Sequence, residues 1–253
     1  MKSVNILGKL KVAFTFSLIH LISFFNAGGQ GTSFEFWPEV DMWYKITPGL
    51  RLSSFVSATR YFENDTRDLN ISFQADHSFG NSKRFLFSRL LDQNRAEPLK
   101  VWLVRGGYMY GWSFDVNNNY TEDMLFAELH RRFLLKHNIL FSQRLRIDNR
   151  WLGDEPVYSY RFRYRILFER EFFAGQKSVI PFVSAEPYWD SRNNGINRLK
   201  VVGGATLSWK SRFAFEGNVT YQYFSDASVT NVLALNAILH LYFETAAVRA
   251  IKK

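Results

Sequence analysis

ILFSQRLRIDNRWLGDEPVYSYRFRYRILFER, residues 139–170, decides the fold. In its first half Ile139, Phe141, Leu145, Ile147 and Trp151 fall on one phase. Ser142, Arg144, Arg146, Asp148 and Arg150 fall on the other. In its second half Tyr158, Tyr160, Phe162, Tyr164, Ile166 and Phe168 alternate with Ser159, Arg161, Arg163, Arg165 and Glu169. A period of two sorts these residues and a helical period does not, so both halves read as strands, joined by a turn at Gly153–Val157.

The same alternation extends in both directions. Ile71, Phe73 and Phe79 oppose Asn70, Ser72, Gln74 and Asp76. Phe213, Phe215, Val219, Tyr221 and Tyr223 oppose Glu216, Asn218, Thr220 and Gln222. Leu233, Leu235, Ala237, Leu239, Leu241 and Phe243 oppose Asn236 and His240. About twelve such segments of roughly 10–14 residues are separated by turn signals such as Thr47-Pro48-Gly49, Asn117-Asn118-Asn119 and Asn193-Asn194-Gly195. The phase is ambiguous over 56–61 and 84–92.

Before the strands, Lys2, Lys9 and Lys11 precede a run from Val12 to Phe25 without Asp, Glu, Lys or Arg, followed by Asn26-Ala27-Gly28-Gly29. That order of charge, apolar run and small residues reads as a secretory signal peptide over 1–29. The run is shorter than the about 20 residues a membrane helix needs. Residues 30–253 then form a single domain. Aromatic residues are 17% of the chain, with 25 Phe, 12 Tyr and 7 Trp, and many fall at segment ends: Trp37, Trp43, Tyr108, Tyr110, Trp112, Trp151, Tyr188 and Trp189. Long aromatic apolar faces, an export signal and terminal aromatics favour a membrane barrel over a soluble sandwich. In lipid the sheet must close, because an open edge strands backbone polar groups. The expected fold is therefore all-β: a closed antiparallel transmembrane β-barrel of about twelve strands behind a cleaved signal peptide, located in the bacterial outer membrane. An even strand count would place both chain ends at the periplasmic face.

Five runs carry a family resemblance: RLRIDNRW (144–151) with YRFRYRILFER (160–170), then IPFVSAEPYWD (180–190), then NRLKVVGGATLSW (197–209), with AELHRRF (127–133) ahead of them. Their order resembles the outer-membrane barrels of domain-of-unknown-function family 2490, from about Phe34 to Phe243. The resemblance implies a barrel in the outer membrane and no established activity, so no catalytic residues are carried over. The end departs from many such barrels, since Phe243 is followed by ETAAVRAIKK.

Folding the hairpin sets Arg144, Arg146 and Asp148 opposite Arg165, Arg163 and Arg161, and like charges facing each other are costly. Pairing across Lys136-His137-Asn138 brings Glu128 beside Arg146. Pairing across 172–177 brings Glu186 beside Arg163, with Lys200 approaching Glu186 from the other side. These nine residues form the expected lumen charge ladder. It reads first as a charge-paired interior of a structural or small-solute barrel. The alternative is an anion-selective porin for acidic oligosaccharides or other anions, since basic constrictions select anions. A lipid hydrolase is the distant alternative. It would need a Ser–His pair, and His130 near Ser142 or His240 with Asn236 point into the lumen, with no GxSxG present. Glu128 and Glu186 as a glycosidase pair are disfavoured by their Arg neighbours. No enzyme activity is expected.

The net charge is +9, but no Lys/Arg run exceeds a pair, so nucleic acid is not an expected partner. With no Cys and five scattered His, no metal and no cofactor is expected. The partners the reading allows are outer-membrane lipids, a small anionic solute, and another outer-membrane protein, for which the small residues Gly203, Ala205 and Ala237 on an apolar face are candidates.

Overall fold

The computed structural model describes residues 31–62, 67–85, 98–114, 120–153, 157–174, 177–209, 212–225, 231–245 and 248. The segment read as a signal peptide, and most of the ambiguous stretch 84–92, lie outside them. The barrel belongs to one compact unit, Ser33–Lys253.

Twelve strands follow in chain order: β1 (Thr32–Lys45), β2 (Leu50–Tyr61), β3 (Arg67–Phe85), β4 (Pro98–Phe114), β5 (Tyr120–Leu134), β6 (Ile139–Leu152), β7 (Val157–Arg170), β8 (Phe172–Ala174), β9 (Lys177–Asp190), β10 (Gly195–Trp209), β11 (Phe213–Phe224) and β12 (Asn231–Glu244). Each pairs with the next as an antiparallel hairpin, except that β7 pairs with β9. The short β8 pairs with the start of β9 and continues the β7 ladder, from Glu169↔Phe182 to Phe172↔Val179. β7 and β8 are one strand interrupted near Glu171.

β12 returns to β1 and closes the sheet. The wall is therefore eleven strands plus one short extra strand, not the expected twelve. An odd number of alternating strands leaves the first and last running in the same direction. Contacts along this seam advance together on both strands: His240 Nδ1 meets Asp41 Oδ2 at 2.9 Å, and the Thr245 amide donates to the Lys45 carbonyl at 3.1 Å. The barrel is mixed, with one parallel seam in an otherwise antiparallel wall. The strand count also corrects the placement of the ends: β1 starts at one mouth and β12 finishes at the other.

Alternation puts apolar side chains outside. Phe34, Val40, Met42 and Tyr44 of β1, Phe73 of β3, Leu125 and Leu129 of β5, Leu145 of β6 and Phe162 of β7 are all exposed. Ser72, Asp148, Thr220 and Glu128 are among the most buried residues. This is the inverse of a soluble protein, where large apolar side chains are inside. Near the mouth holding the β5–β6 turn, the interior is apolar, with Leu99, Leu134 and Leu140 packed together. The middle of the bore is charged. That turn, Lys136–Asn138, needs left-handed backbone at His137 (φ 60°) and Asn138 (φ 57°), a conformation that Asn tolerates better than most residues.

Trp37 and Trp43 depart from the expected outer girdle. Both face inward: Trp43 lies beneath the Arg51 and Arg105 guanidiniums at 4.7 and 5.3 Å, and Trp37 beneath the Lys200 ammonium at 5.0 Å. Tyr188 also points inward and is 3% exposed. The sequence phase of β1 carried this information, because Trp37 and Trp43 share parity with Asp41.

Candidate functional site: an interior ladder of paired charges

The β6–β7 ladder sets Arg144, Arg146 and Asp148 opposite Arg165, Arg163 and Arg161, as the alternation implied. Left alone, two of these rows would be Arg against Arg. Three carboxylates from adjoining positions offset the repulsion. Glu128 stands opposite Arg146 and accepts from its Nη1 at 2.7 Å. Glu186 accepts twice from Arg163, at 2.9 and 3.1 Å, the forked geometry that makes guanidinium–carboxylate pairs strong. Asp148 accepts from Arg146 Nε at 2.5 Å and Arg161 Nε at 2.8 Å, with Arg163 Nη1 at 3.7 Å.

Arg144 joins the halves. Its Nη1 reaches Glu128 at 3.3 Å and its Nη2 reaches Glu186 at 2.5 Å. The two carboxylates that spacing alone offered as an acid–base pair are thus bridged by one guanidinium. The chain of charge continues backward. Arg105 meets Glu128 at 3.5 Å and Asp76 at 2.9 Å, and Arg51 forks onto Asp76 at 2.9 and 2.8 Å. Alternating charge therefore crosses from β2 to β9. Glu128 and Asp148 side chains are 1% and 0% exposed, so water does not screen these pairs. Aromatic faces support the cations: Phe126 under Arg146 at 4.0 Å, and Tyr188 beside Arg163 at 4.4 Å.

The fold and the order of these charges coincide with a family assignment. Comparison with protein families matches residues 34–232 to the family described as Protein of unknown function (DUF2490). The chain belongs to the DUF2490 family. The match runs from β1 into β12, so in this DUF2490 member the family covers nearly the whole barrel wall. No curated protein matches the chain.

All nine expected ladder residues of the DUF2490 barrel lie on the inward phase. One register differs by two residues. Glu186 was expected beside Arg163, but the β7–β9 ladder pairs Arg163 with Tyr188. Glu186 still reaches Arg163 with its side chain. The cause is β8, which extends the strand and tightens the hairpin to the Ala174↔Lys177 pair. Lys200 stands opposite Glu186 as expected. Arg165 and Lys200 form no ion pair among the described residues.

Several members of the network were not singled out from sequence. Arg51 and Arg105 were not picked out, and Asp76 was read only as a member of the polar phase of its strand. Arg150 joins Glu122 at 2.5 Å and Asp190 at 3.3 Å near the other mouth. At the parallel seam His240 bonds Asp41 and lies 3.6 Å from Glu216. Both His positions considered as hydrolase bases are tied to carboxylates; His130 contacts Glu128 at 2.7 Å, and Ser142 stands across from Arg132.

Proposed function

We propose that this chain is an outer-membrane β-barrel, exported through its N-terminal signal peptide, whose ladder of paired charges locks the bore and makes it a structural barrel closed to bulk solute flow. The observation that carries the reading is the inverted polarity of the wall. Aromatic and aliphatic side chains cover the outside, while Asp148, Glu128 and Asp190 are 0–3% exposed inside. Such an exterior fits hydrocarbon, and such an interior fits neither a soluble core nor an open water-filled pore. Strand length agrees. The 14 residues of β1 extend about 46 Å at ~3.3 Å each, which a tilt of about 45° reduces to about 33 Å, enough to cross a hydrocarbon core of about 30 Å. The ladder supports closure because Asp148 and Glu128 are each tied to at least two guanidiniums from the surrounding strands.

Single-channel recording tests both halves. The refolded protein is expected to insert into planar bilayers and to give no sustained steps. Replacing the hub residues, as in Glu128→Gln with Arg144→Gln, is expected to introduce conductance. Regular anion-selective steps from the unaltered protein would replace this reading with a porin. Failure to insert at all would remove the membrane assignment.

A further inference from the structure

Counting acceptors along the ladder leaves three cations over. The row Arg144, Arg165, Glu186, Lys200 crosses β6, β7, β9 and β10. The next row holds Arg146, Arg163, Tyr188 and Arg198. These rows contain six cations, and the carboxylates that pair with them are Glu128, Asp148 and Glu186. Arg144, Arg146 and Arg163 take all three. Arg165 makes no hydrogen bond among the described residues. Among the described residues Arg198 and Lys200 make no hydrogen bond or ion pair; Arg198 lies over the Tyr188 and Phe224 rings, at 5.2 and 4.3 Å, and Lys200 over the Trp37 ring at 5.0 Å.

A guanidinium carries five donors and an ammonium three, and inside a protein such donors are rarely left without acceptors. These three side chains are partly buried, so they face a space that admits something small. They also belong together. Arg165 and Lys200 flank Glu186 two strands apart, about 10 Å between backbones at ~4.8 Å per strand, and both side chains are long enough to meet over it. Arg198 is two residues from Lys200 on the same face. Among the described residues the carboxylate between them, Glu186, is already occupied by Arg144 and Arg163. Glu39 of β1 feels the Lys200 charge across the bore but forms no ion pair with it within 4.0 Å.

We propose that Arg165, Arg198 and Lys200 form an oxyanion site in the bore, fitted to a phosphate or phosphate monoester. Three cations on neighbouring inward positions match the charge and the several acceptor oxygens of a phosphate better than those of chloride, which offers one spherical acceptor. Tyr188 and Trp37 hold two of the cations by their ring faces and leave the polar donors free for the ligand. The site does not depend on the membrane reading. It needs only the folded barrel.

The test is calorimetric titration of the refolded barrel in detergent with inorganic phosphate, and separately with glycerol phosphate, against chloride at matched ionic strength. The full-length protein and Arg165→Gln, Lys200→Gln and the double variant are compared. Gln keeps length and polarity and removes a charge that has no ion partner, so circular dichroism should show the same barrel. Saturable binding of either phosphate probe, at least tenfold weaker in each single variant and lost in the double, supports the site. Preference for glycerol phosphate would assign it to an ester headgroup, and preference for inorganic phosphate to the free ion. No phosphate binding beyond chloride, or binding that survives the double variant, overturns it. Bilayer insertion is measured separately, so failure of the membrane assignment is distinguishable from failure of this site.

Discussion

Asp148→Asn is the sharpest probe of the ladder. Asp148 has a fully buried side chain and anchors three arginines. Arg146 would keep Glu128, and Arg163 would keep Glu186. Arg161 would keep neither: its other contacts are the Met124 sulfur at 4.0 Å and the Tyr188 ring at 5.4 Å. The substitution therefore strands one buried guanidinium, a change that costs about 3–5 kcal/mol in a protein interior. Solvent screening does not reduce the figure, because the carboxylate has no exposed surface. Urea unfolding of the barrel in lipid vesicles, followed by Trp fluorescence, measures it. The companion Asp148→Asn/Arg161→Gln should recover part of the loss, giving a coupling of about 2 kcal/mol or more in the double-mutant cycle. If Asp148→Asn costs under about 1 kcal/mol, the interior is wetter than its geometry indicates, and the argument for a locked bore fails with it.

Arg192 also bridges a buried carboxylate, Asp190, but is itself 43% exposed, so Arg192→Gln is expected to change stability by under about 1 kcal/mol in the same unfolding assay. Gly204→Ala should destabilise by about 1–3 kcal/mol, since its Cβ would stand 2.6 Å from the Gly217 carbonyl and 2.8 Å from the Asn218 Cα, whereas Gly203→Ala, with nothing within 4 Å, should unfold at the same urea concentration as the parent. The chain has no cysteine, so Asp41→Cys with His240→Cys offers a background-free test of the seam: oxidation should link the two and shift mobility on a non-reducing gel, and absence of the link would argue against the parallel closure.

The alternation of Arg with Phe and Tyr made β6 and β7 legible, because a strand's period is fixed at two and a one-residue slip would have put guanidiniums outside. The short turn at Lys136–Asn138 then fixed Glu128 opposite Arg146 with little freedom. Beyond that hairpin the information thinned. The placement of Glu186 depended on how far β7 ran before turning, and Phe172 and Phe173 alternate with nothing that reveals it. Strand number was not legible either, since alternation tells each segment which way to face but not how many segments the wall contains. Trp37 and Trp43 were misplaced because an aromatic near a strand end fits a girdle by composition, while its parity with Asp41 sends it inward. The surplus of cations appeared only with the registers, since +9 for the whole chain says nothing about which charges share a wall.

The parallel seam also bears on how the barrel assembles. Ten of the eleven contacts around the wall join strands adjacent in the chain and can zip up one hairpin after another. The eleventh brings together Asp41 and His240, 199 residues apart. Closing a loop of that length costs about 2 kcal/mol more chain entropy than closing a ~15-residue hairpin, and no local turn guides it. The curved sheet must therefore be nearly complete before its first and last strands can meet. On that logic the seam is the slow step on the way in and the place where the wall first parts on the way out.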